Sequence, residues 1–548
     1  MFLAQYYQHP SLIILLSIVG MTFLKDRHYA FKAISIITPL ICMVALSGLE
    51  EKNILSVSQV VKLSYIGSWH NKLIGFAFLL AILAANLNTI NKKRYIEIIL
   101  GNLYAAFTLF CLLAGDFLSL FISLELMAIT SAIIIFIGEQ KASLRAAKKY
   151  FITHLMSGNM IIIGVIHLYS ISGSVEIQNV GELVYHADYS NFMLSIMFVG
   201  LLINVASFPF TGWMVNYYPK ATSTGFVYLM MFTTKLSVML IVKLFAGFDA
   251  LKYAAVIMII NSCTQVIFEK HVQNMLCHLS IISMGLMLMG ISDGSVEVVD
   301  AVVCYLFMHI LYKLTLCLAC SNLSSYSFDA LFNHDSKIIK FSLVVSVIAM
   351  IAVPSNFVFT LKGIITHNFY DNLLTYVALI VMSFSISFAL PWREFFCSNN
   401  KIETKLNKCS KYALLITLST TIFFMIFGQV ILLNKEFTLF PEGSVKQILI
   451  LTISIIAACF FKYKRFRTHP LNLIEPIGSW IFYFHRRQDE REKQTQSKEP
   501  MFENLEFQLG RFFNLFHNQQ TAIFMVFVVL IIVMCIIVNQ NEILRLPM

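Results

Sequence analysis

The chain has 548 residues, 58% of them hydrophobic and only 13% charged, with a mean hydropathy of +0.75. No soluble globular domain carries that balance, so lipid is the solvent for most of the chain. The net charge of +10 would suggest a nucleic-acid partner in a soluble protein; here the basic residues sit between apolar runs and report orientation instead.

In chain order, apolar runs of spanning length fall near 10–24, 29–47, 71–91, 97–115, 117–137, 150–171, 192–215, 225–246, 253–268, 275–291, 300–322, 339–366, 372–390, 413–433, 446–462 and 521–538. The first and ninth are short, so the expectation is an all-α polytopic membrane protein with about 14–16 transmembrane helices. The start, MFLAQYYQHPSLIILLSIVGMTFL, has no basic n-region or small-residue cleavage site and reads as a retained first helix.

Connections of odd number carry the cations, for example Lys25 and Arg27, Lys92, Lys93 and Arg94, Lys141, Arg145, Lys148 and Lys149, and Lys464, Arg465 and Arg467. Even ones are poor in Lys and Arg, and two are acidic (Glu176, Glu182 and Asp188; Asp293, Glu297 and Asp300). The positive-inside rule then places odd connections in the cytoplasm and both termini on the outer, periplasmic side of an inner or plasma membrane. Between residues 464 and 519, a charged segment is flanked by two stretches with apolar residues at helical spacing, expected to be interfacial amphipathic helices.

Ionisable residues inside the spans carry the functional signal. Glu125 is central in span 5 and Lys235 in span 8; His309 and Lys313, four residues apart on span 11, share a helix face. Lys362 follows Pro354 in span 12, and His154 and His167 lie in span 6. A charge at mid-membrane costs roughly 2.5–3.5 kcal/mol on insertion scales, and such groups face the bundle interior and mark ion or proton paths. The bland alternatives are snorkelling for Lys313 and Lys362 and polar packing for the two histidines. Pro209 and Pro354 break spans 7 and 12; broken helices at membrane depth are tolerated where they are buried or line a cavity. Their corresponding places suggest two inverted repeats, spans 4–8 and 9–13. The 11 cysteines are scattered through apolar runs, with no metal-ligand spacing and no disulfide framework.

FISLELMAIT, KYFITHLMSGN, FPFTGWMVNYYPKATSTGFVYLMMFTTK, LCHLSIISMGLMLMGIS, FMHILYKLTLCLA and VPSNFVFTLK, in that order, resemble the antiporter-like membrane subunits shared by Mrp-type multisubunit cation/proton antiporters and the proton-pumping arm of respiratory complex I (NADH:quinone oxidoreductase). Within that family the chain is most similar to subunit-D-like Mrp chains, through LNLIEPIGSWIFYFHRR. The resemblance covers about 97–390 and implies a proton-translocating core there; around it the apolar runs give N-terminal helices over 1–96, additional helices over 391–463, the interfacial segment 464–519 and a last helix over 520–548. It also implies a proton path in which Glu125 is the acid of a switch and Lys235, His309 and Lys362 form the buried axis; Lys313, on the same helix face as His309, joins the proton-path candidates on its spacing alone. At the place of the family's span 7 lysine stands Asn204, which has no charge to offer Glu125; His154 is a candidate substitute. Gln273 likewise stands where a basic residue is common.

The first functional reading is therefore a membrane subunit of a monovalent cation (sodium or potassium)/proton antiporter, with other membrane subunits as partners. The alternatives are a proton-translocating subunit of an NADH:quinone oxidoreductase and a degenerate structural paralogue without a working path. No nicotinamide, flavin or iron–sulfur signature is present in the sequence, so no cofactor is expected on this chain and redox chemistry would lie on others.

Overall fold

The computed structural model describes residues 9–56, 62–177, 179–180, 192–269, 271–389, 406–433 and 444–460. Each of the first fifteen apolar runs is helical; the sixteenth and the 464–519 segment lie outside the described residues. The helices are α1 (Pro10–Phe23), α2 (His28–Ser47), α3 (Trp69–Ile90), α4 (Tyr95–Leu113), α5 (Phe117–Phe136) and α6 (Ser143–Ser172). Span 7 is two helices, α7a (Phe192–Asn204) and α7b (Gly212–Tyr217), and so is span 8, α8a (Ser223–Met231) and α8b (Thr233–Phe245). Then come α9 (Ala250–Phe268), α10 (Val272–Asp293), α11 (Val296–Ser321), the divided α12a (Lys337–Ile351) and α12b (Phe357–Thr366), α13 (Leu373–Ala389), α14 (Lys408–Leu433) and α15 (Ser444–Phe460). Ten are long and apolar enough to cross a membrane, counting α8a and α8b as one, and four more apolar helices are shorter. The chain is an all-α polytopic membrane protein.

One element escaped the sequence reading. Strands β1 (Lys52–Ser56) and β2 (Lys62–Ile66) pair antiparallel between α2 and α3. Asp116, the N-cap of α5, secures this hairpin: its carboxylate accepts from the Ser119 amide and from the Ser64 amide, both at 2.7 Å.

Connections bond to others of the same parity. On the odd side Arg94 pairs with Glu139, Gln140 Nε2 donates to the Pro219 carbonyl at 2.9 Å, and the Val272 amide donates to the Tyr326 carbonyl at 3.1 Å. On the even side the Gly115 amide meets the Ser64 carbonyl at 2.9 Å, the Phe117 amide the Val175 carbonyl at 2.8 Å, and Asn368 Nδ2 donates to Asp293 at 2.8 Å. The fold thus has two faces that alternate along the chain, as the charge pattern requires.

Burial ranks the helices. The apolar windows of α8a–α8b, α10 and α11 are wholly buried, while only a third of those of α2 and α14 is. Helices apolar all round belong in the middle of a bundle. At its centre α11 touches α3, α8a, α10, α12a, α12b and α14. The pairings α4–α5, α5–α6, α6–α7a and α4–α8b recur as α9–α10, α10–α11, α11–α12a and α9–α13. Five spans per repeat is an odd number, so the second copy stands inverted in the membrane.

The two expected breaks are present, and each opens ahead of its proline. Ala206 (φ 58°) follows α7a and Ala352 (φ 61°) follows α12a. The left-handed region costs a non-glycine residue of the order of 1 kcal/mol, a strain held by the surrounding packing. Asn356 then caps α12b, its Oδ1 accepting from the Phe359 amide at 2.8 Å. The third break, at Phe232, contains no proline and was not expected.

Candidate functional site

The Phe232 break explains how Lys235 is tolerated. The Thr233 amide leaves the helical ladder and donates to the Tyr104 hydroxyl of α4 at 3.1 Å, while the Tyr104 and Thr233 hydroxyls bond each other. The Lys235 ammonium turns back, donating to the Met230 carbonyl at 2.7 Å and to Thr234 Oγ1 at 3.1 Å. A cation at the C-terminal end of α8a is also favoured by the helix dipole. Lys235 is completely buried, so these contacts replace water.

Lys362 repeats the device in the second repeat. It projects from α12b and donates to the Met350 carbonyl, in the last turn of α12a, at 2.7 Å. Being buried, it does not snorkel; nor does Lys313, whose ammonium is enclosed and has no hydrogen-bond partner among the described residues. His309 of α11 is also fully buried, with Nδ1 and the Tyr312 hydroxyl 2.8 Å apart and Nε2 unpartnered among the described residues. Lys235, Lys313 and Lys362 all lie within electrostatic range of the His309 ring. Residues far apart in sequence thus form one buried cationic line through α8b, α11 and α12b.

Glu125 is placed apart from that line. It is buried on α5 with its carboxyl against α6 at Gly158, where a Cβ would come within 1.6 Å of Oε1. No cation among the described residues faces it. Asn204 is the last residue of α7a, with its Oδ1 buried and without a partner among the described residues. His154 does not pair with Glu125 either. Its ring stacks on Tyr150 at 4.0 Å and meets Trp213 edge-on at 4.6 Å. Its Nδ1 lies 3.1 Å from the Tyr150 carbonyl. A carbonyl only accepts, so Nδ1 carries a proton; in the neutral ring Nε2 is then a buried acceptor, without a partner among the described residues. His167 is half-buried, Gln273 buried at the start of α10.

Several polar residues were not singled out from the sequence. Glu97 of α4 is buried, takes Arg94 Nη1 at 2.8 Å and accepts from Thr224. Its signal was present in the i, i+3 spacing to Arg94. Lys243 of α8b donates to the Leu112 carbonyl at the end of α4. Near Glu97, burial and the neighbouring Arg94 pull the Lys92 ammonium down to about 8.

The family is decided by residues 114–425, more than half of the chain, which match the model for the transmembrane region of NADH:quinone oxidoreductase/Mrp antiporter proteins. The chain belongs to this family. Among similar curated proteins, NADH-quinone oxidoreductase subunit N of Bacillus anthracis is 30% identical over 248 residues, 42% of this chain and 48% of that protein. Subunit N 2 of Solibacter usitatus is 27% identical over 222 residues, 38% of this chain and 45% of that one. The chain thus spans about half the length of the curated relatives it matches. Among solved structures, a chain of the archaeal membrane-bound sulfane sulfur reductase aligns with a TM-score of 0.67 at 17% identity, covering 83% of this chain and 99% of that one. A chain of the Mrp complex from Dietzia sp. DQ12-45-1b gives 0.65 at 14% identity, covering 82% and 99%. One of respiratory complex I from Thermus thermophilus gives 0.65 at 15%, covering 77% and 98%. At these identities the structural likeness concerns the fold alone.

Proposed function

We propose that the chain translocates protons across the membrane as one subunit of a larger membrane assembly, along a path through Lys235, His309, Lys313 and Lys362, with Glu125 as a separate acidic station. The observation that carries this reading is the buried cationic line. Three lysines and a histidine inside a bundle are costly to keep unless they work, because apolar residues of like volume would pack there at less cost. His309 offers an unpartnered Nε2 between lysines that each hold an exchangeable proton. In the same reading, residues 97–390 are the translocating core and the odd-numbered connections face the cytoplasm.

The first candidate for the assembly is a sodium- or potassium-coupled proton antiporter of the Mrp type, from the resemblance of the span motifs; the relatives named NADH-quinone oxidoreductase subunit N favour the quinone-reductase alternative. The path is common to both. The test uses the assembled complex in inverted vesicles with a pH-sensitive dye. Glu125→Ala and Lys235→Ala are each expected to abolish proton translocation while assembly persists, and proton movement driven by a sodium or potassium gradient without a quinone couple identifies the antiporter. Full proton translocation in both variants would leave only the degenerate structural reading.

A further inference from the structure

Beside Lys362 lies a cavity of about 30 Å³, room for one water. Its polar lining comes from Lys362 and Thr366, from Tyr370 and Ser383, and from Gln447 of α15. Helix α15 lies beyond the residues that match the family model.

The orientation of Gln447 follows from its partner. Its Nε2 donates to the Phe359 carbonyl at 3.1 Å. A carbonyl cannot donate, so the amide oxygen is fixed on the other side. There it lies beside Gly363, where a Cβ would come within 3.0 Å of Oε1. That oxygen is buried and has no hydrogen-bond partner among the described residues. A buried acceptor left unpaired costs about 1–3 kcal/mol, and a water in the cavity relieves that cost by donating to it. The same water can take a proton from the Lys362 ammonium. Outward, the Thr366 and Tyr370 hydroxyls are 2.8 Å apart, the Tyr370 ring lies 5.6 Å from Lys446 Nζ, and Lys446 pairs with exposed Asp371 at 3.4 Å. Buried lysine, cavity, hydroxyl pair and surface ion pair form one sequence of stations, ending on the face that carries the even-numbered connections.

We infer that α15 walls the outlet of the path and that Gln447 positions the water through which Lys362 exchanges protons with that surface. The inference rests on the proton-path reading above. In the step, an N–H bond of the ammonium breaks and an O–H bond forms on the water; the water gives another of its protons to the Thr366 oxygen, whose own proton moves to the Tyr370 oxygen, and the Tyr370 proton leaves to bulk water at that surface, so that water and hydroxyls end unchanged. Gln447 is thus a positioning residue.

The experiment measures proton flux and its solvent deuterium isotope effect in vesicles carrying the assembled complex. Gln447→Leu, which removes both polar atoms, is expected to slow flux about tenfold and to raise the isotope effect, because the outlet becomes limiting. Gly363→Ala, whose methyl would crowd Oε1 while favouring the helix, is expected to act in the same direction and decides the matter if Gln447→Leu does not assemble. Lys362→Ala, run alongside, is expected to be inactive. Wild-type flux and isotope effect in the Gln447 and Gly363 variants, with Lys362→Ala inactive, overturn the role of α15 alone. An active Lys362→Ala overturns the path reading as well.

Discussion

Gly158→Ala puts the acidic station to the test without touching an ionisable group. A methyl at this position would lie 1.6 Å from Glu125 Oε1 and 2.8 Å from its carboxyl carbon. Non-bonded heavy atoms sit near 3.5–4.0 Å, so the carboxyl has to retreat by about 2 Å. Overpacking of this kind costs about 1–3 kcal/mol. Alanine in place of glycine returns about 1 kcal/mol of helix propensity in α6. The net loss is therefore at most about 2 kcal/mol, small enough for the complex to assemble. The displaced carboxyl is a different matter, since an ångström of misplacement in a transfer site can cost about 100-fold. Flux measured with a pH dye is expected to fall at least about tenfold, to near the level of Glu125→Ala. The Gly158→Ala, Glu125→Ala double variant removes the clash, so its melting temperature should recover above that of Gly158→Ala while flux stays low, a coupling of about 0.5–3 kcal/mol between neighbours. Wild-type flux together with a wild-type melting temperature in Gly158→Ala would refute the docking of Glu125 on α6 and its part in transport.

Three further variants probe the neighbouring elements. Asn204→Lys places a cation at the end of α7a; if a missing charge has weakened the switch, proton-coupled transport increases, and unchanged flux and pH profile would show that Glu125 is not gated from this position. His154→Ala added to that variant should change little, because the histidine is held by Tyr150 and Trp213; rescue only in the double variant would instead make it the relocated partner. Tyr104→Phe removes the hydroxyl that holds the Thr233 amide at the Phe232 break, a loss of about 1–3 kcal/mol for an orphaned buried donor. It should lower thermal stability and flux together, and wild-type values of both would mean that the break does not depend on this bond.

The helices were legible because lipid permits little else: a run of apolar residues long enough to span must be helical. Fifteen runs became helices or helix pairs for that reason. The breaks at Pro209 and Pro354 were legible from proline's missing amide hydrogen. The break at Phe232 was not, because its cause is a hydroxyl on another helix, Tyr104, more than a hundred residues away. The hairpin was missed because it lies in a connection too short to span, and its tie to the bundle comes from Asp116, outside the segment, which accepts from the Ser64 amide. At the site, Lys235, His309, Lys313 and Lys362 stood out singly, as charges in apolar runs do. Their convergence around α11 depends on helix packing and could only be borrowed from the family resemblance. Gln447 carried no signal in sequence: a glutamine near a span end reads as interfacial until the fold puts its oxygen beside Gly363 and its side chain in the wall of the cavity that Lys362 also lines.

The two lysines that begin and end the cationic line share a geometry that ties structure to chemistry. Each is bonded at 2.7 Å to the carbonyl of a methionine in the last turn of a half-helix, Met230 for Lys235 and Met350 for Lys362. A broken helix leaves carbonyls without intrahelical donors, and at membrane depth no lipid can supply them. The lysine meets that need whether it is charged or neutral, since the amine still has N–H groups to donate. What changes on proton loss is the charge-assisted part of the bond and the attraction to the negative end of the half-helix. In the proposed reading the break would therefore survive proton transfer while its strength responded to it, as a site that loses and regains a proton without unfolding would need. The half-helix α7a shows the contrast. It ends at Asn204, whose neutral side chain leaves its oxygen unpartnered among the described residues. Of the three broken spans, only span 7 lacks an identified cation at the end of its first half among the described residues, and it is there that any loss of coupling between Glu125 and the line would arise.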